Sequence, residues 1–198
     1  MLLIVDGENF RHQISRTLVQ AGRIRENNDF FPFDFMGFCR HVMHRQDIDV
    51  TYVTTDIRHP HFEIPEELRL LINEIVSSHG RWIQHLNEQG VNVVTAGKLK
   101  VKESNACTHC GKRSMILQEK GVDVRVATEL LLAAQRQEPE IALGSSDSDM
   151  IPALEAAREL GAHTKYVCHR DELNEHIQSI VSDVLTFDDA DVMRYLKD

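Results

Sequence analysis

Four aspartates in this sequence stand where a reactive centre is easily assembled. Asp6 closes an apolar run, Leu2-Leu3-Ile4-Val5, and is followed by Gly7-Glu8-Asn9. A short apolar run ended by a turn signal reads as a strand buried on both faces. Asp147 and Asp149 follow a second such run, Glu140-Ile141-Ala142-Leu143, after the turn Gly144-Ser145-Ser146. Asp123 falls in what reads as the first turn of a helix, just after Gly121. Each has an ordinary explanation taken alone. Asp6 suits a turn, Asp123 a helix dipole, and Ser148 or Asp149 a helix cap. Capping accounts for one acidic residue there and not for two. Gathered on one edge, the four would repel one another unless cations neutralised them. Oxygen-only clusters suit Mg²⁺ or Mn²⁺. Such ions activate water and brace a phosphodiester during in-line attack. Asn9 then supplies a neutral ligand or a substrate contact. Ser145 and Ser146, with backbone N–H groups at a helix start, would hold a phosphate or a bound water. Lys120 stands ready to meet a phosphate.

The elements that must position these residues alternate between strand and helix. A short helix over residues 10–20 follows the first strand, and 22–32 reads as a loop. Phe35, Phe38, Cys39, Val42 and Met43 recur at helical spacing, which makes Cys39 a buried small hydrophobe. Val50 to Val53 form a strand, and Asp56 beyond it is read as a loop residue. His59-Pro60-His61 reads as a loop without a metal partner. Pro65 opens a helix that Gly80 is expected to stop, with a second short helical piece around Trp82 and Leu86. Val91 to Val94 form a strand. Residues 98–120 break the pattern: alternating apolar and basic residues flank a tight turn, the mark of an inserted β-hairpin. It carries Lys98, Lys100, Lys102, Lys112, Arg113 and Lys120 and is the most basic stretch of the chain. A helix from Val122, the strand at 140–143, a helix with Pro152 in its first turn and two further strand–helix pairs complete the chain. Strands alternating with helices imply a parallel sheet covered on both faces, an α/β fold in one domain over residues 1–198.

Composition narrows the class. At 198 residues the chain suits one domain with a small insert. No apolar run is long enough to cross a membrane, and the N-terminus enters a strand without a basic leader. Four cysteines, two of them close together, look like intracellular usage. A cytoplasmic protein is expected. The formal charge of −9 argues against a long basic surface for duplex nucleic acid. It leaves room for a nucleic-acid enzyme whose metal ions attract phosphate.

At this point the motifs resemble a known family. Asp6-Gly7-Glu8-Asn9 is similar to the opening motif of NYN domains, PIN-like nucleases in which a strand ends in Asp and an Asn follows three residues on. Lys120-Gly121-Val122-Asp123 resembles their Lys-Gly-x-Asp motif. Ser145-Ser146-Asp147-Ser148-Asp149-Met150 resembles their Ser-Gly-Asp-x-Asp-Phe motif. The likeness runs in order from residue 2 to about 187. It implies a PIN-like three-layer α/β/α fold with a central, mostly parallel sheet, and metal-dependent endonucleolytic cleavage of RNA. By the same resemblance Asp6, Asp123, Asp147 and Asp149 are the metal-site carboxylates, and Asn9 and Ser145 support them. Ser146 stands where the family usually has Gly, and Met150 where it has Phe. Ser146 raises a question of backbone shape, since Gly tolerates φ > 0 and Ser does not. Two rival readings stand beside the nuclease. One is a non-catalytic RNA-binding or regulatory module on the same fold. The other is a different metal-dependent phosphohydrolase, although a nucleophilic aspartate would call for Asp-x-Asp at the first strand, and position 8 is Glu.

Cys107-Thr108-His109-Cys110-Gly111-Lys112 resembles one knuckle of a zinc ribbon. Zn²⁺ needs four ligands, and the hairpin offers no second pair. Cys168-His169 is one candidate to complete the site; Cys107 and Cys110 of a second copy across a two-fold axis, in a homodimer, are another. A redox pair and an empty turn are the alternatives. In each case the basic hairpin would make an RNA-guiding arm.

Overall fold

Leu2–Asp6 forms strand β1, and helix α1, Gly7–Gln20, begins at the next residue. The Asp-Gly pair therefore makes a direct strand-to-helix junction, three residues earlier than the apolar spacing predicts. Asp6 is the cap: its side chain accepts the backbone N–H of Asn9, satisfying one of the helix's orphan donors. Gly7 is required by space. A Cβ there would lie 2.5 Å from the Tyr52 ring and 2.6 Å from the Val53 carbonyl oxygen.

The structure is a computed structural model that describes residues 1–198 apart from 27–28, 58–65, 99, 104–108, 112–114, 119 and 198, with backbone alone at 67–68, 100–103 and 115–118. After α1 come α2 (Phe35–Val42), β2 (Asp49–Thr55), α3 (Glu66–Glu88) and β3 (Asn92–Ala96). Then follow β4 (Lys100–Glu103), β5 (Met115–Gln118), α4 (Val122–Gln135), β6 (Glu140–Gly144) and α5 (Ile151–Glu159). The chain ends in β7 (His163–His169), α6 (Glu175–Ile180), β8 (Asp183–Phe187) and α7 (Asp189–Tyr195).

Six strands form one sheet in the order β3-β2-β1-β6-β7-β8, and every pairing in it is parallel. The first three strands build outward one way from β1, the last three the other way from β6. The reversal falls between β1 and β6, which is where open α/β sheets leave a crevice beyond the strands' carboxyl ends.

The alternation along β1 sorts the two faces. Leu3 and Val5 pack with Phe10, Ile14, Phe35, Phe38, Trp82 and Val192, so α1, α2, α3 and α7 cover one face. Ile4 packs with Val126, Leu130, Leu154 and Ile177, so α4, α5 and α6 cover the other. Three layers result. Cys39 and Cys168 are both buried within them.

One further expectation changes. Gly80 does not end a helix: α3 runs unbroken through it. Gly80 has open space beside it, and Trp82 and Leu86 beyond it are fully buried. Burying those side chains outweighs the cost of one glycine in a helix, about 1 kcal/mol. The inserted segment does pair as an antiparallel hairpin, Lys100 opposite Gln118 and Glu103 opposite Met115. Its knuckle is only partly visible, because Cys107, Lys112 and Arg113 lie outside the described residues. The histidine pair His59 and His61, and Pro65, also lie outside them.

Candidate active site

The crevice between β1 and β6 receives the aspartates. Asp6 ends β1, and Asp147 and Asp149 follow β6 on a short 3₁₀ turn, Ser148–Met150, that leads into α5. Asp123 is in the first turn of α4, which packs on β1 and on that 3₁₀ turn. All four carboxylates thus share one sheet edge. Gly121 makes the approach of α4 possible. Its φ is +103°, and a Cβ there would come within 3.1 Å of the Gly97 Cα. The backbone of Lys98 also donates to the Lys120 carbonyl at 3.1 Å, tying the foot of the hairpin to the start of α4.

Asp6 is the deepest of the four, 5% exposed. Burial, reinforced by the negative charges of Asp123 and Asp147, pushes its carboxyl up to about 7 despite the Asn9 and Ser145 hydrogen bonds. Asp123 also rises, through burial and the charges of Asp147 and Asp149. Asp149 is exposed at the rim, and Asp147 lies between rim and interior. The four therefore act on one another through their fields. Among the described residues no three His, Cys, Asp or Glu side chains converge at the spacing of metal ligands. The donor set is nonetheless oxygen-only and mutually repulsive, the chemistry that suits a hard divalent cation.

A hydrogen-bond chain holds the two strand exits together. The Ser145 hydroxyl donates to Asp6 Oδ2 at 3.3 Å and accepts the Asp147 N–H at 3.2 Å. Asp147 Oδ1 accepts the Asp149 N–H at 2.9 Å. Asn9 Oδ1 accepts the Ser146 N–H at 3.0 Å. Ser145 is fully buried, so its hydroxyl orients Asp6 and does not reach a phosphate. The Ser146 hydroxyl is likewise turned inward, accepting from Tyr166 at 2.9 Å and from Gln13 Nε2 at 3.1 Å. Both serines, expected to contact substrate, are parts of the frame. The question raised by Ser146 in place of Gly is answered too. Among the described residues, the non-glycine positions with positive φ are His44 and Gln137, so the Ser146 backbone needs no glycine.

Lys120 is exposed beside this edge. Cys110 is exposed on the hairpin, whereas Cys168 is buried, its thiol pushed up to about 11 mainly by burial. The neighbouring His169 is engaged elsewhere. Its Nδ1 accepts the Asp171 N–H, so the proton sits on Nε2, which faces Asp189 at 3.2 Å. Cys168 and His169 are therefore both engaged within the α/β/α layers.

Sequence reasoning missed the frame behind these groups. Gln13, Tyr166 and Asn174 all bond to the turn around Ser146. Glu8 accepts from Thr54 Oγ1 at 3.3 Å and lies 3.9 Å from His79, whose pKa burial lowers. Of these, Gln13 alone had a signal in the sequence: it stands one helical turn beyond Asn9.

Comparison with known proteins agrees with this arrangement. A crystal structure of a protein of unknown function from Vibrio parahaemolyticus RIMD 2210633 is similar with a TM-score of 0.57 at 13% identity, covering 99% of this chain and 94% of that chain. At that identity the likeness speaks for the fold alone. No curated protein matches the chain. The family model described as the NYN domain matches residues 1–186, a span that holds the exits of β1 and β6 and the start of α4. The chain therefore belongs to the NYN domain family, whose fold is that of the PIN-like nucleases.

Proposed function

We propose that this chain is an endoribonuclease that uses Mg²⁺ or Mn²⁺ to hydrolyse RNA phosphodiesters. The observation that carries the reading is the gathering of Asp6, Asp123, Asp147 and Asp149 at the β1/β6 switch point, where burial and, less strongly, the charges of Asp123 and Asp147 raise the Asp6 carboxyl to about 7. Structural carboxylates are more often solvated or paired with cations of the protein. Here they lie close enough to raise one another's pKa, as at sites that bind ions.

Asp6, Asp123, Asp147 and Asp149 would hold the ion. A hard divalent cation, when bound, lowers the pKa of water and neutralises charge on the phosphodiester. Ser145 and the Asn9 backbone N–H hold Asp6 in one orientation. Asp149 is exposed at the rim and would accept the proton of the attacking water. Lys120 offers a cation to a flanking phosphate. The basic hairpin would guide single-stranded RNA to the crevice, with Zn²⁺ at Cys107 and Cys110 a further proposal for its knuckle.

The test is cleavage of a pool of labelled single-stranded and hairpin RNAs with Mg²⁺ or Mn²⁺, wild type beside Asp149→Asn. Metal-dependent cleavage lost in the variant is expected, by about 10² or more if the residue acts on the transferring proton. RNA binding with no cleavage by wild type in either metal would leave a binding module in its place.

A further inference from the structure

Gln13 is 2% exposed, and every polar atom of its side chain is used. Its Oε1 accepts the backbone N–H of His169 at 2.7 Å. Its Nε2 donates to Asn9 Oδ1 at 2.8 Å and to Ser146 Oγ at 3.1 Å. One side chain thus ties together the exits of β1, β6 and β7. The orientation of this amide is settled by chemistry. A backbone N–H can only donate, so the atom facing it must be the oxygen. The nitrogen must then face Asn9, and the Asn9 atom that meets it must be an acceptor.

The same logic passes to Asn9. Its Oδ1 already accepts from Gln13 Nε2 and from the Ser146 backbone N–H at 3.0 Å. Two donors fill both lone pairs of an amide oxygen. The side-chain hydrogen bonds of Asn9 among the described residues all use Oδ1. What Asn9 has left to offer a ligand is its NH₂. Asn9 is half-buried and its backbone N–H donates to Asp6 Oδ1, so this free donor belongs to the same strand exit as the carboxylates.

We propose that Gln13 is the positioning residue of this site. By saturating Asn9 Oδ1 it removes Asn9 from the set of metal ligands and makes it a hydrogen-bond donor to an anionic oxygen of the substrate, such as a non-bridging phosphate oxygen. The assignment rests on the nuclease reading for its substrate, while its structural half stands independently.

The experiment joins two readouts. The first is the ¹⁵N spectrum of the Asn9 side-chain amide in wild type and in Gln13→Met, which keeps volume and loses all three hydrogen bonds. A rigid Asn9 amide in wild type that becomes mobile in Gln13→Met is expected. An amide equally ordered in both overturns the positioning role, and this holds whether or not the protein cleaves RNA. The second is RNA affinity and cleavage kinetics for Asn9→Asp and Gln13→Met. A donor replaced by a carboxylate should raise KM by about tenfold or more, with a smaller change in kcat. Gln13→Met lowers the melting temperature in either case, but should move KM in the same direction, whereas a merely structural lesion would lower kcat and leave KM unchanged. Asn9→Asp that binds Mn²⁺ more tightly and keeps its KM would overturn the donor assignment and make Asn9 a ligand. If wild type neither binds nor cleaves RNA, the nuclease reading falls, and the spectrum still decides what Gln13 does.

Discussion

Asp6 concentrates the competing forces of this site in one side chain. Its carboxyl is held at about 7, against 3.8 for an ordinary aspartate, chiefly by burial. The folded protein therefore keeps a proton that the unfolded chain releases across that interval. The stability this contributes is complete below about 3.8 and is lost as pH rises through about 7. Metal-free wild type is accordingly expected to lose melting temperature between pH 5 and 8, and Asp6→Asn to lose much less. Calorimetry across that range measures it; a variant no more stable than wild type at pH 8 would show that Asp6 carries no such strain. Mn²⁺ should restore wild type at pH 8, by mass action on the folded state, and leave Asp6→Asn unchanged. The two serines make the complementary point. Ser145→Ala would strip a buried hydrogen bond from Asp6, with an expected cost of about 1–3 kcal/mol read by urea denaturation.

At the scale of elements, the placing of α4 matters most. Asp123 reaches the crevice because the chain turns through Gly121 at φ +103°, hard against Gly97. Gly121→Ala imposes an unfavourable φ and a 3.1 Å contact with backbone. It should destabilise the protein by about 1–3 kcal/mol and reduce cleavage beyond what the stability loss explains, since Asp123 moves with its helix. Cleavage measured well below the variant's melting temperature separates the two effects. The junction from β1 to α1 is equally tight, with Gly7 packed under the Tyr52 ring. Tyr52 in turn donates to the Gly7 carbonyl at 2.7 Å and accepts from Trp82 Nε1 at 3.0 Å. The helix that the glycine at position 80 does not interrupt thus braces the strand end that carries Asp6.

For the molecule as a whole, aromatic packing is concentrated on one face of the sheet. Phe10, Phe35, Phe38 and Phe187 meet edge to face, with ring centroids 5.0–6.3 Å apart. Phe38 links α2 to β8 and, through Tyr195, to α7. Phe38→Ala should cost about 3–5 kcal/mol, visible as a lower urea midpoint with an unchanged slope. The candidate site lies elsewhere, at the carboxyl ends of β1 and β6, where hydrogen bonds among polar side chains hold the turns. The candidate site is built where the core ends, and a hydrogen-bonded frame of Gln13, Ser146 and Tyr166 braces it there.

The sequence alone determined the alternation of strand and helix, because apolar periodicity is a local property of the chain. Leu2 to Val5 and Ile141 to Leu143 announced buried strands, and the turn residues beyond them announced where carboxylates would emerge. It also determined the family through three motifs whose order survives in the linear chain. Tertiary structure decided the rest. Strand order is a matter of which edges pair, so only the sheet shows that β1 and β6 are neighbours and that Asp6 feels the charge of Asp147. Only packing overrides Gly80, since the burial of Trp82 lies outside any local rule. Only the folded chain shows that Ser145 and Ser146 point inward, because a hydroxyl takes whichever partners the neighbouring strands bring to it.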